Sequence, residues 1–145
     1  MELSDIVAYV RDSGSGVVAT LAVDGSPQAA YLDLTATDSG ELVFNARSDS
    51  RKIANILGDG RVAVVIGGAD GTTLQCEGTA TLATGPDLER CAAAYGEAFP
   101  QFEPARPGVV LVLVALQWAR HRDYRSSAPV SQDIAVPPGL GVGDA

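Results

Sequence analysis

Every position from Val109 to Leu116, in the run VVLVLVAL, is apolar. Eight residues are far too few for a helical bilayer span, which needs roughly 20. The longer segment GVVLVLVALQWARHRDY is β-rich. An antiparallel strand with one face in water should alternate apolar and polar side chains, and this one does not. Both of its faces must therefore be covered. In a chain of 145 residues, the second cover is expected from another copy, so the run predicts a homodimer.

Turn signals at close spacing divide the rest of the chain into further strands. Asp24-Gly25, Asp38-Ser39-Gly40 and Asp70-Gly71 carry residues that suit tight reversals. Strands are expected at about Gly16–Val23, Pro27–Thr35 and Glu41–Ala46, then in RVAVVIG and TTLQCEGTATLAT, with Val109 onward as the sixth. Three short helices interrupt them. The first, about Ser4–Arg11, has Ile6, Val7 and Val10 at helical spacing and Ser4 as its expected N-cap. The second, about Ser50–Leu57, ends at Gly58, and the third, about Pro86–Phe99, carries Leu88, Cys91, Ala92 and Tyr95 on one stripe. Short antiparallel strands in this order predict a mainly β chain, a barrel or sandwich with flanking helices.

Residues 1–125 read as one domain and 126–145 as an extended tail. From Ser126 onward there is no Lys or Arg, and Pro129, Pro137 and Pro138 interrupt any periodicity. Cys76 and Cys91 lack the spacing of a disulfide framework or zinc ribbon and are expected in the core. The start MELSDIVAYVRD has no basic and apolar leader pattern, which points to a cytoplasmic protein with no membrane association.

The net charge of −8 argues against nucleic acid or an anionic membrane as partner. An anion bound to such a chain needs a local basic pocket. ELVFNARSDSRKIANILGDGRVAVVIG supplies one, with four of the ten Lys and Arg: Arg47, Arg51, Lys52 and Arg61. A strand ending in VFNAR, a polar turn and a helix starting RKIANIL place free backbone N–H groups beside Arg47, Arg51 and Lys52. Helix N-termini and guanidinium forks both suit phosphate oxygens, and Ser48 and Ser50 add hydroxyls. Equally, these residues fit solvent-facing charges and an ordinary serine cap.

In the order VVATLAVDGSPQAAYLDL, LVFNARSDSRKIANI, DGRVAVVIG and LQCEGTATL, the chain from about Ser13 to Tyr124 resembles the pyridoxamine 5'-phosphate oxidase-like proteins. These are the split barrels that bind flavin mononucleotide (FMN). The resemblance implies a six-stranded antiparallel Greek-key split barrel, with FMN at the interface of a homodimer. It implies that Ser50, Arg51 and Lys52 hold the flavin phosphate and ribityl end, and that Phe44 and Asn45 line the ring or ribityl chain, partly through backbone. Ala30, Tyr31 and Leu32 would meet the ring through their strand, and Gln75 would reach the cofactor from the next one. Trp118, Arg120 and Arg122 become candidates from the second subunit. ARHRDYR only echoes the family's C-terminal element, so vitamin B6 oxidation is not expected.

Other split barrels bind a deazaflavin or haem, and His121, the only histidine, is the one obvious haem ligand. Triads, Walker loops, dinucleotide fingerprints and clustered metal ligands are absent from the sequence. The expected activity is redox chemistry on an unknown small molecule. A non-catalytic flavin-binding or stress-related role is the alternative.

Overall fold

The computed structural model describes residues 1–136. Its elements in chain order are α1 (Leu3–Ser13), β1 (Ser15–Leu21), β2 (Pro27–Asp33), β3 (Thr35–Ala36), β4 (Leu42–Arg47), α2 (Arg51–Gly58), β5 (Arg61–Gly67), β6 (Thr72–Leu82), α3 (Gly85–Ala98), β7 (Val109–Asp123) and β8 (Val130–Ile134). All eight strands join one antiparallel sheet, ordered β2-β1-β5-β6-β7-β4-β3, with β8 on the free upper part of β7. The sheet curls into a half-barrel, the split-barrel architecture. The chain leaves β2, builds β3 and β4 at the far end, and returns through α2 to lay β5 beside β1. That return lays α2 against β1, β4 and β6.

Among the described residues, eight strands replace the expected six. Thr35-Ala36 separates from the predicted second strand and pairs with β4, and Val130–Ile134 pairs with Ala119–Asp123. Ile134 is buried in the core, so part of the segment read as extended tail is a working edge strand. Pro137 and Pro138 lie outside the described residues. The first helix starts one residue early, at Leu3, with Glu2 rather than Ser4 as its N-cap. The Glu2 N–H donates to Asp5 Oδ2 at 2.7 Å, which a serine at position 4 cannot replace.

Alternation sorts the side chains cleanly. Val18, Val64, Ile66, Leu74, Phe44, Val112 and Val114 face the barrel interior with Ile6 and Val10 of α1. Leu111 and Leu113, on the other face of β7, pack with Val43 against Cys91 and Tyr95 of α3. The second cover of the apolar run is thus this chain's own third helix, not another copy. The inference of a dimer from that run fails, because a short helix is enough to shield two leucines.

Both cysteines are buried free thiols. Burial pushes the Cys76 thiol up to about 12 and Cys91 up to about 11. Since the thiolate is the nucleophile, neither is expected to react with a disulfide reagent in the native protein at mildly alkaline pH. Both should react after denaturation. Rapid native-state labelling of either would show that its cover opens.

Candidate functional site

Of the four cations in the second quarter of the chain, the structure commits two. Arg47 makes a two-pronged contact with Asp49 at 3.1 Å, and Arg61 lies 2.7 Å from Asp59. Hydrogen bonds from Arg61 hold the Asp59 carboxyl down at about 2, well below the usual range. Arg51 and Lys52 are different: among the described residues neither joins an ion pair.

Both sit in the first turn of α2, where the N–H groups of Arg51, Lys52 and Ile53 have no intrahelical acceptor. Ser50 is the N-cap in extended backbone, yet its hydroxyl makes no capping bond. The Ser50 Oγ is buried and without a hydrogen-bond partner among the described residues. A cap hydroxyl normally satisfies one of the free N–H groups. Here the hydroxyl, the helix N–H groups and two cations all remain unspent at one helix end. Such a set suits a phosphate, which supplies several strong acceptor oxygens and negative charge.

The elements around it define two clefts that share Arg51 and Gln28. A small one, about 150 Å³, lies between Lys52 and the strand residues Thr20, Ala29 and Ala30. A larger one, about 740 Å³, extends along α2 to the β1–β2 turn at Val23-Asp24-Gly25 and to Arg61. Asn55 ties the walls together. Its Nδ2 donates to Thr20 Oγ1 and to Gln28 Oε1, each at 2.9 Å. Thr20, Gln28 and Asn55 escaped the sequence reading. The available signal was Thr20 at an inward β1 position and Asn55 one turn after Arg51 on α2.

The remaining expected site residues divide by strand alternation. Ala30 reaches the small cleft, and Leu32, on the same side of β2, packs against the core. Tyr31 points the other way, 73% exposed, with its hydroxyl 2.6 Å from Ser15 Oγ. Gln75 shares that outward face through the register Tyr31, Val17, Val65, Gln75, Arg120 across five strands. Trp118 neighbours it under the Arg120 guanidinium at 5.1 Å, and Arg120 also pairs with Asp133 of β8. Phe44 is fully buried in the core, so its side chain cannot line a ligand. Asn45 is half-buried and donates to the Pro104 carbonyl at 3.3 Å. Arg51, Lys52 and Ala30 therefore line one cleft, with Ser50 next to them as the N-cap of α2, while Tyr31, Gln75 and Trp118 lie on the opposite face of the sheet.

His121 is not at an exposed strand end. Its ring meets Tyr9 of α1 edge-on at 5.6 Å, on the inner side of β7 beside Leu74. Arg122 lies over Tyr124 at 5.0 Å, and its Nε is buried without a partner among the described residues. No group of three or more potential metal ligands converges among the described residues, and no helix there is long and apolar enough to cross a membrane.

A curled antiparallel sheet in this strand order, flanked by three helices, is the arrangement of a split-barrel protein. Residues 4–123 match the sequence profile of the pyridoxamine 5'-phosphate oxidase family, and the chain belongs to that family. A comparison with curated proteins finds no match. Among solved structures, a haem-binding protein from Mycobacterium smegmatis superposes with a TM-score of 0.72 at 18% identity, covering 90% of this chain. The chain spans only 57% of that protein's length. A pyridoxamine 5'-phosphate oxidase-related, FMN-binding protein from Nostoc punctiforme PCC 73102 gives 0.63 at 16% identity, covering 92% of this chain and 94% of the other. An F420 reductase gives 0.61 at 20% identity, with 77% and 93% covered. At these identities the likeness concerns the fold.

Proposed function

We propose that this chain is a cytoplasmic, homodimeric FMN-binding oxidoreductase acting on a small molecule. The unspent Ser50 hydroxyl, Arg51 and Lys52 at the start of α2 carry this reading. They would hold the flavin phosphate, with the Ala30 strand alongside and Asn55 keeping Thr20 and Gln28 in place. Arg47 and Arg61 would act at longer range, since their guanidinium groups already hold aspartates. Bound flavin would supply the redox chemistry, accepting and passing on electrons, so no dedicated acid or base is required of the protein. The chain's residues position the cofactor and shield it.

The proposed homodimer rests on the outward face of the sheet. Tyr31, Val17 and Val65 stand in one cross-strand row and are 73%, 37% and 46% exposed. Contiguous apolar surface of this kind favours a partner copy. Gln75 and Arg120 continue the row, with Trp118 beside Arg120, which fits their expected part in a shared cofactor site.

A deazaflavin is the second reading, supported by the fold likeness to an F420 reductase. A phosphate anchor alone does not distinguish the two rings. Haem is less well supported, because His121 packs against Tyr9 under α1 and would have to leave that contact to bind iron.

The test is a visible spectrum of the purified protein after loading with FMN, or in a parallel arm with F420, and removal of excess. Retained flavin bands and oxidation of reduced nicotinamide are expected with FMN. Retention of F420 alone would move the protein to deazaflavin chemistry. Retention of FMN without turnover would leave a binding protein, and retention of neither would refute the reading.

A further inference from the structure

A third cleft, about 440 Å³, lies at the other end of β1, between α1 and the outward sheet face. It shares no lining residue with the two clefts at α2. Its volume falls within the range of small-molecule sites, roughly 300–1,000 Å³. One wall is apolar, built from Val17, Val65 and Tyr31. Gly67, at φ +90°, completes it, and a Cβ there would lie 2.1 Å from the Tyr9 hydroxyl. Only glycine lets that hydroxyl sit at the edge of the cleft.

The polar wall has a definite hydrogen-bond sense. Thr72 Oγ1 donates to Asp70 Oδ1 at 2.6 Å, which spends its one hydrogen. Tyr9 must then be the donor in its 2.9 Å contact with Thr72 Oγ1. The Tyr9 oxygen consequently offers the cleft only lone pairs. Asp12 and Asp70 also line it, and neither joins an ion pair among the described residues. Among the described residues no Lys or Arg lines the cleft, and Arg125, whose charge reaches Asp70, is held by Asp123 at 2.6 Å. Against these acceptors the Ser15–Tyr31 hydroxyl pair keeps one free O–H.

We propose that this cleft binds a small aromatic amine in its protonated form. The ring lies on the Val17, Val65 and Tyr31 wall, and the ammonium group faces Asp12, Asp70 and the Tyr9 oxygen. An ammonium group carries three donors and one positive charge, the complement of this lining. A carboxylate would meet two like charges and few donors. The outward wall belongs to the face proposed above for a second copy, so a dimer would roof the cleft. The inference does not depend on the flavin reading.

Tryptamine, tryptophol and indole-3-acetate share one ring system and differ in charge. Amide chemical-shift titrations of the full chain with each should give saturable shifts at Val17, Gly67 and Asp70 with tryptamine. Tryptophol should bind roughly tenfold more weakly and indole-3-acetate more weakly still. Asp12→Asn with Asp70→Asn keeps the hydrogen-bond acceptor to Thr72 and should bring tryptamine down to tryptophol. Asp12→Asn alone, at an exposed position, serves if the double variant folds poorly. Equal binding of indole-3-acetate, shifts confined to the α2 clefts, or no saturation with tryptamine would overturn the proposal.

Discussion

Replacing Arg51 and Lys52 together by alanine is expected to lower FMN affinity by roughly 10²- to 10⁴-fold, as each charge-assisted phosphate contact contributes about 1.5–3 kcal/mol. The thermal midpoint should hardly move. Neither side chain is buried or paired in an ion contact, and alanine is the better helix former in a first turn. Riboflavin separates this from a general loss of the site, because it has the same ring without the phosphate. Titration calorimetry should show riboflavin binding unchanged in the double variant while FMN binding collapses. If both ligands weaken equally, the two residues shape the cleft instead of holding the phosphate. Ser50→Ala should cost about tenfold in FMN affinity, with little change in helix stability, because the hydroxyl does not cap the helix.

The strand and helix positions were legible because the chain alternates and turns explicitly. RVAVVIG became β5 from Arg61 to Gly67, as the alternation of Val62, Val64 and Ile66 dictates. The Ser-Arg-Lys helix start was legible for the same reason, since a turn followed by an apolar stripe fixes where N–H groups are free. What the sequence concealed were pairings between distant residues. That Asp49 and Asp59 would each claim a neighbouring arginine is a matter of rotamers, not spacing. The resemblance set Phe44 beside Asn45 at the ligand, partly through backbone, but strand alternation sends the Phe44 side chain inward. The cover on Leu111 and Leu113 required knowing that α3 folds back across β7, a tertiary fact invisible in the run itself. Val130–Ile134 escaped notice because an edge strand with one buried residue carries almost no apolar periodicity.

Arg90→Ala should be the most damaging substitution outside the apolar core, at about 3 kcal/mol of stability. Glu41 immediately precedes β4, with only 5% of its side chain exposed. Its carboxylate accepts from Thr37 Oγ1 at 2.9 Å and from both terminal nitrogens of Arg90 on α3. Arg90 also bonds Asp87 at 2.6 Å, which fixes its guanidinium for the contact. Truncating it leaves a buried carboxylate with one hydroxyl donor. The Arg90 side chain is 40% exposed, so water relieves part of this cost and the low end of the usual range for a broken buried pair applies. A drop in melting temperature of roughly 5–10 °C is expected for a domain of this size. Glu41→Gln added to Arg90→Ala should recover part of it, because a neutral amide is cheaper to leave unpaired than a charge. The same pair pins α3 over β4 and β7, where Cys91 is fully buried. Loss of Arg90 should therefore also speed Cys91 labelling while Cys76, on the barrel side, stays protected. A variant that loses stability without exposing Cys91 would mean that α3 is held by Tyr95 and Leu111 packing alone.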